Sequence, residues 1–260
     1  MNLAQVLRTL ESKGTAHNRK VYARHGYPAD TYGVGFTELR KLAKALGHDQ
    51  ELARGLWKTG NGDARVLAAM VADAESMNSS ELDAWAREIR FYVLADAFSQ
   101  LAARSPLARK KSEAWRKSKS DHVAQVGWNL VSLLAAPDGE LSDADLAPLL
   151  EAIERGIHAA PNRTRHAMNM ALCAIGGYRP ALRDRALAAA RAIGKVAVDH
   201  GETGCKTPDA ESYIGRMVTH QARRNARPST GRRRGAKGVP KGAKATEPGV
   251  QRGRGAARKA

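Results

Sequence analysis

The sequence predicts an all-α protein built as an α-solenoid, a stack of paired helices. Three observations carry this expectation. Apolar residues recur at helical spacing along almost the whole chain, beginning with Leu3, Val6, Leu7 and Leu10, and no stretch alternates as a half-buried strand would. Much of the 43% hydrophobic content is Ala and Leu, with only 5% aromatic, a balance that favours helix over sheet. Caps and breakers divide the chain into short helices whose pairs recur every ~35 to 45 residues. The repeat is one of pattern rather than of letters, so an irregular helical bundle is the alternative.

The elements follow from these signals in order. Thr37 as N-cap and Gly47 as terminator bracket a helix carrying Leu39, Leu42, Ala43 and Leu46. Leu52, Leu56 and Trp57 mark the next, and Val66, Leu67, Met70 and Val71 another. Ser80 with Asp83 reads as a capping box before Trp85 and Ile89. A helix from Tyr92 to Leu101 ends before Pro106, which suits the first turn of its successor. Val123, Val126, Leu130 and Leu133 define the helix after Ser120, and Ser142 with Asp145 caps one running through Leu146, Leu150 and Ile153. Pro161 opens a helix closed by Gly176-Gly177, and Pro180 opens one spanning Leu182 to Val198. A last helix runs from Pro208 to near Arg224.

Charge divides the chain differently. The formal net charge is +17, and residues 226–260 carry eleven Lys/Arg against the single acid Glu247, so this segment holds +10 and leaves +7 to the rest. Its Gly-, Arg- and Lys-rich composition lacks the apolar surface needed to offset ordering entropy. The expected organisation is therefore a helical-repeat domain over 1–225 followed by a disordered basic tail over 226–260. Both parts are positive, which points to a polyanion partner. The two cysteines, Cys173 and Cys205, make no disulfide framework and no zinc spacing. No signal-peptide core opens the chain and no apolar run reaches the ~18 residues of a membrane span. A monomeric cytoplasmic, nucleoid-associated protein without metal or cofactor is expected.

One stretch carries chemistry. Phe91-Tyr92-Val93-Leu94-Ala95-Asp96 sets a lone carboxylate in an apolar helix, with an aromatic one turn before it. Arg104, Arg109, Lys110, Lys111, Arg116, Lys117 and Lys119 follow, opposed only by Glu113, and read as phosphate contacts rather than a merely solvated face. Trp115 and Trp128 sit at core spacing. A second constellation, Val198 to Ala210, has two glycines, His200 and Cys205. If Pro208 starts a helix, Lys206 and Thr207 stand at its N-terminus as a phosphate nest. A Cys205–His200 catalytic pair, a metal site with Asp199 and a plain structural cap are the other readings of this loop.

At these residues the chain resembles the HEAT-like-repeat DNA alkylation repair proteins, the AlkD-like glycosylases, over roughly Ala16 to Arg224. The resemblance rests on Tyr32-Gly33-Val34-Gly35-Phe36-Thr37-Glu38-Leu39-Arg40, on Trp85-x6-Tyr92-x3-Asp96, on Trp115 with Val123-Ala124-Gln125-Val126-Gly127-Trp128, and on Arg163-x2-His166-Ala167-Met168-Asn169-Met170. It implies a curved solenoid with a basic concave face on duplex DNA, and cofactor-free removal of cationic N-alkylated purines. It also implies a site of one aspartate, two tryptophans and one arginine. By that likeness the aspartate is Asp96, and the tryptophan before it is softened to Tyr92. The arginine falls at or near Gln125, losing its charge, and the second tryptophan falls on Met170, losing its plane.

Physically, a carboxylate beside the sugar stabilises a developing oxocarbenium ion and places a water. An aromatic face holds a cationic base, and an arginine fork grips a phosphate. Asp96 and Tyr92 supply the first two. With Gln125 neutral, phosphate contact is expected from Lys110, Lys111, Lys117 or Lys119. A structural acid bonded to a neighbouring helix is the other reading of Asp96. A non-catalytic nucleic-acid scaffold and a protein-interaction module are the rival functions. Deleting residues 226–260 should weaken DNA binding and flatten its salt dependence while leaving measurable affinity, because the remaining chain keeps +7. Titration of labelled duplex at about 50 mM salt and above checks this.

Overall fold

The structure, a computed structural model, describes residues 1–226. The tail expected over 226–260 therefore lies almost wholly outside the described residues. Thirteen α-helices are described: α1 (Leu3–Lys13), α2 (Ala16–Arg24), α3 (Phe36–Leu46), α4 (Gln50–Lys58), α5 (Gly62–Val71), α6 (Ser79–Arg87), α7 (Tyr92–Ala102), α8 (Ala108–Trp115), α9 (Asp121–Leu134), α10 (Asp143–Gly156), α11 (Asn162–Tyr178), α12 (Arg183–Ile193) and α13 (Ala210–Ala226). Among the described residues there is no strand, only one isolated bridge between Gly14 and Val34. No described helix is long and apolar enough to cross a membrane.

The helices stack in two rows, the arrangement of an α-solenoid rather than an irregular bundle. One row runs α3, α5, α7, α9, α11, α13, each packed on the next. The other contains α4, α6, α8, α10 and α12, with α4 packed on α5, α8 on α9 and α12 on α11. The buried positions include Leu94, Ala95, Phe98 and Leu101 in α7, and Val123, Val126, Leu130 and Val131 in α9. Trp57 and Trp85 stack with centroids 4.1 Å apart, and Phe98 bridges them to Trp115. Trp115 and Trp128 are buried, as their spacing suggested.

Ion pairs staple the second row from end to end. Arg54 on α4 holds Glu81 on α6 at 2.7 Å, Lys111 on α8 holds Asp83 on α6 at 2.6 Å, Arg109 on α8 meets Asp145 on α10, and Arg185 on α12 reaches Glu151 on α10 at 3.2 Å. This corrects the reading of the basic segment. Lys111 is 5% exposed, donates to Ser79 of α6 and lies over the Trp115 ring, so it cannot meet a phosphate. Arg109 is committed to Asp145 and Glu113. Arg116 is half-buried over Trp128 and bonds the Ser112 carbonyl. Lys110, Lys117 and Lys119 remain exposed, the last two in the turn leading into α9.

Several helix ends differ from expectation. The helix holding Thr37 begins two residues earlier than expected, with Gly35 rather than Thr37 at the cap position and no side-chain cap. Asn78 caps α6 in place of Ser80, accepting from the Glu81 amide. Pro106 lies in the turn before α8. The helix after Pro180 stops at Ile193, because Gly194 adopts φ +65° and turns the chain out, so residues 195–198 are not helical. The last helix begins at Ala210 rather than at Pro208, and Asp209 caps it, accepting from the Ser212 amide. The Ser142–Asp145 capping box and the Gly47 terminator stand as expected.

The end of α8 approaches α9 closely at Gly127. A Cβ added at Gly127 would come 2.4 Å from the Arg116 backbone nitrogen, and Ser112 bonds the Gly127 carbonyl at 3.0 Å. Gly127→Ala should therefore push the two helices apart and cost about 1–3 kcal/mol, read as a lowered urea midpoint with an unchanged slope.

Candidate functional site

Two aspartates at the starts of α5 and α9, both in the inner row that runs from α3 to α13, build the frame of the site. Asp63, in the first turn of α5, is fully buried and accepts from Thr31 Oγ1 at 2.8 Å and from the amides of Gly33 and Val34 at 2.7 and 3.2 Å. Burial pushes its pKa up despite those donors. It fixes the loop in which Gly33 has φ +78°, with no room for a Cβ beside the Thr15 carbonyl. Asp121, first residue of α9, plays the same part for α11. Pro161 offers that helix no side-chain cap, and Asp121 supplies one from the neighbouring repeat. Its Oδ1 accepts from the Thr164 amide at 2.7 Å and Oγ1 at 2.8 Å, and its Oδ2 from the Arg163 amide at 3.0 Å.

Asp96, one turn into α7, projects between α7 and α9. Its Oδ1 accepts from Gln125 Nε2 at 3.0 Å and Asn129 Nδ2 at 2.9 Å, while Oδ2 accepts no hydrogen bond among the described residues. Asn129 is further tied to Ser99, and Gln125 to the Tyr92 carbonyl. The carboxylate lies in a groove of about 580 Å³ whose lining includes Phe36, Arg40, Met70, Tyr92 and Arg104. The residue is open to solvent along the groove yet enclosed by protein around it. Enclosure dominates its titration: desolvation raises the pKa to about 6, against the lowering pull of Asn129, Gln125, Arg163 and His122. Water on the open side keeps the effect below that of full burial.

Tyr92, at the first turn of α7, is half-buried. Its hydroxyl meets His25 Nδ1 at 2.5 Å, and the Arg163 guanidinium lies 4.3 Å from its ring centroid. Burial raises its pKa, with the Cys205 sulfur also in range. The segment after α12 folds back to this same end. Asn162 pairs with the backbone of Asp199 in both directions at 2.7 and 2.8 Å, Arg165 holds the Ala197 carbonyl at 2.8 Å, and Asn169 holds that of Pro208 at 3.0 Å. Thr207 Oγ1 joins His200 Nε2 at 2.9 Å to His166 Nδ1 at 3.4 Å. Burial, aided by His200 and Arg163, drives the His166 pKa down to about 4, so it is neutral near pH 7. Beneath the segment lies a cavity of about 1030 Å³ lined in part by Arg165, Lys195, His200, Lys206 and Thr207.

Asp96 and Tyr92 are thus brought together as expected, and Gln125 joins them, but in another role. Gln125 is 3% exposed and serves as a donor to Asp96, so it is not a DNA contact. Met170 is half-buried two turns beyond Arg163 on α11. Lys206 is exposed, yet the helix N-terminus near it is filled by the Asp209 carboxylate, which removes the expected phosphate nest. His200 bonds Thr207 rather than Cys205, and no group of three or more metal-ligating side chains is found among the described residues. Sequence reasoning missed Arg163, Asn129, His122, Arg40 and His25 as site members. Only Arg163 left a signal: Arg163, His166 and Met170 share one face of α11 by their spacing.

A HEAT-like solenoid with a groove carboxylate between inner helices defines the class. The model of the family described as DNA alkylation repair enzyme matches residues 5–214, and the chain belongs to that family. Among curated proteins it is 29% identical over 221 residues to Lin0241 of Listeria innocua, spanning 80% of this chain and 92% of that one. It is 28% identical over 216 residues to Lmo0209 of Listeria monocytogenes, with the same coverage. A solved structure described as a new family of proteins related to the HEAT-like repeat DNA glycosylases, with affinity for branched DNA structures, superposes with TM-score 0.77 at 27% identity, over 85% of this chain and 95% of that one.

The raised pKa of Asp96 has a consequence for stability. A carboxylate whose folded pKa lies above its unfolded value favours the fold below that unfolded value, and the contribution fades as pH rises to the folded pKa. Wild-type stability should thus fall between pH ~4 and ~6. Asp96→Asn should remove this decline, melting higher than wild type at neutral pH and alike near pH 4, as followed by thermal denaturation across that range.

Proposed function

We propose that this protein binds duplex DNA along the groove of its inner helices, as a monomer, and that Asp96 acts there in removing cationic N-alkylated purines. The observation that carries the reading is Asp96 itself. One oxygen is fixed by two amide donors, the other is left without a donor, and the groove around it is lined by Arg40 and Arg104. Family membership supports the same chemistry.

In this reading the N-glycosidic bond breaks with its electron pair leaving on the alkylated base, which departs neutral. Asp96, ionised near pH 7, stabilises the oxocarbenium ion and takes the proton of the water that adds to the sugar carbon. Gln125 and Asn129 orient the carboxylate, and Arg40, Arg104, Lys117 and Lys119 meet backbone phosphates. Asp96→Asn should lower release of methylated purine from alkylated duplex by at least about a hundredfold, with duplex affinity nearly unchanged. Excision that survives the substitution places the chemistry elsewhere.

A second reading is favoured by the departures at Gln125 and Met170: a binding protein without turnover. The neighbour's described affinity for branched DNA supports including a four-way junction beside the duplex. Binding by wild type without any base release selects this reading.

A further inference from the structure

One face of the Tyr92 ring is already occupied by a cation. The Arg163 guanidinium lies 4.3 Å from its centroid, and an incoming cation would meet a like charge. Yet Arg163 is held there weakly. Among the described residues its guanidinium makes no ion pair and no hydrogen bond, while its backbone amide donates to Asp121. Its charge reaches Asp96, His166 and His200 without contact. A guanidinium on a tyrosine face is bound less strongly than one forked onto a phosphate. Asp121 pins the backbone of Arg163 and Thr164, so the side chain alone is free to move.

We propose that Arg163 is a phosphate clamp parked on Tyr92 in the free protein. On meeting DNA it leaves the ring for a backbone phosphate, which opens the Tyr92 face to a base at the same moment. Two cation sites thereby become coupled: backbone binding unveils base binding. The clamp rests on the proposed DNA-binding role of the groove, and it replaces from α11 the charge absent at Gln125 on α9.

The test uses the full chain and undamaged duplex, so it does not depend on excision. Affinity is measured across a salt series for wild type, Arg163→Gln, Tyr92→Leu, Tyr92→Phe and the Tyr92→Leu/Arg163→Gln double variant. Arg163→Gln should weaken binding and reduce the slope of log affinity on log salt by about 0.9, the contribution of one phosphate contact. Tyr92→Leu should tighten binding roughly two- to tenfold by releasing the clamp from its ring. That gain should vanish in the double variant and be absent in Tyr92→Phe, which keeps the ring and loses only the His25 bond. An unchanged slope in Arg163→Gln overturns the clamp, as does equal tightening in Tyr92→Phe or no tightening in a folded Tyr92→Leu. Should Tyr92→Leu fail to fold, the Arg163→Gln slope decides alone. Wild type that does not bind duplex removes the groove reading together with the clamp, whereas binding with an unaltered slope removes the clamp only.

Discussion

The carboxylate of Asp121 on the first turn of α11 is the contact on which the site depends. It satisfies amides that Pro161 leaves without a side-chain cap, and it does so across a repeat boundary, so helix capping doubles as assembly. Because the bonded amides belong to Arg163 and Thr164, this cap also sets where Arg163 emerges. Asp63 repeats the device at the other end, bonding Gly33 and Val34 ahead of α3. Each holds backbone donors that would otherwise be buried without partners, a cost that makes such contacts hard to lose.

Around this frame some cations are paired with acids and others are not. In the second row, cations are spent on neighbours: Arg54, Lys111, Arg109 and Arg185 each reach an acid on the adjacent helix. In the inner row, Arg40, Arg104 and Arg163 have no acid partner within ion-pair distance among the described residues, and Asp96, which lines one groove with Arg40 and Arg104, has its pKa raised by burial to about 6. Unpaired cations and an under-satisfied carboxylate destabilise a folded chain, and their concentration on one face is the physical mark of a working surface.

Much of the architecture was legible in the sequence. The stripes of α7 and α9, the capping box at Ser142 and the terminator at Gly47 follow from local rules, and so does the burial of Trp115 and Trp128. Local rules failed where two nearby residues compete for one role, as at Asn78 and Ser80, or where a glycine ends a helix that its apolar pattern would continue, as at Gly194. Of the site, Asp96 and Tyr92 were legible because they lie one turn apart on a single helix. Asn129, His122 and His25 were not, because they arrive from α9 and from the chain just after α2.

What the sequence by itself determined is the class of fold, the pairing of Asp96 with Tyr92 and the basic character of the chain. Each is a property of composition or of spacing within one helix. What only the tertiary structure decided is which charges are free. Lys111 and Arg163 are both cations in helices, indistinguishable by local pattern, yet one is buried against Asp83 and the other rests on an aromatic face without an ion pair. The reason is that a long side chain's partner is chosen by the helix stacked against it, and that neighbour lies some thirty to seventy residues away in the chain.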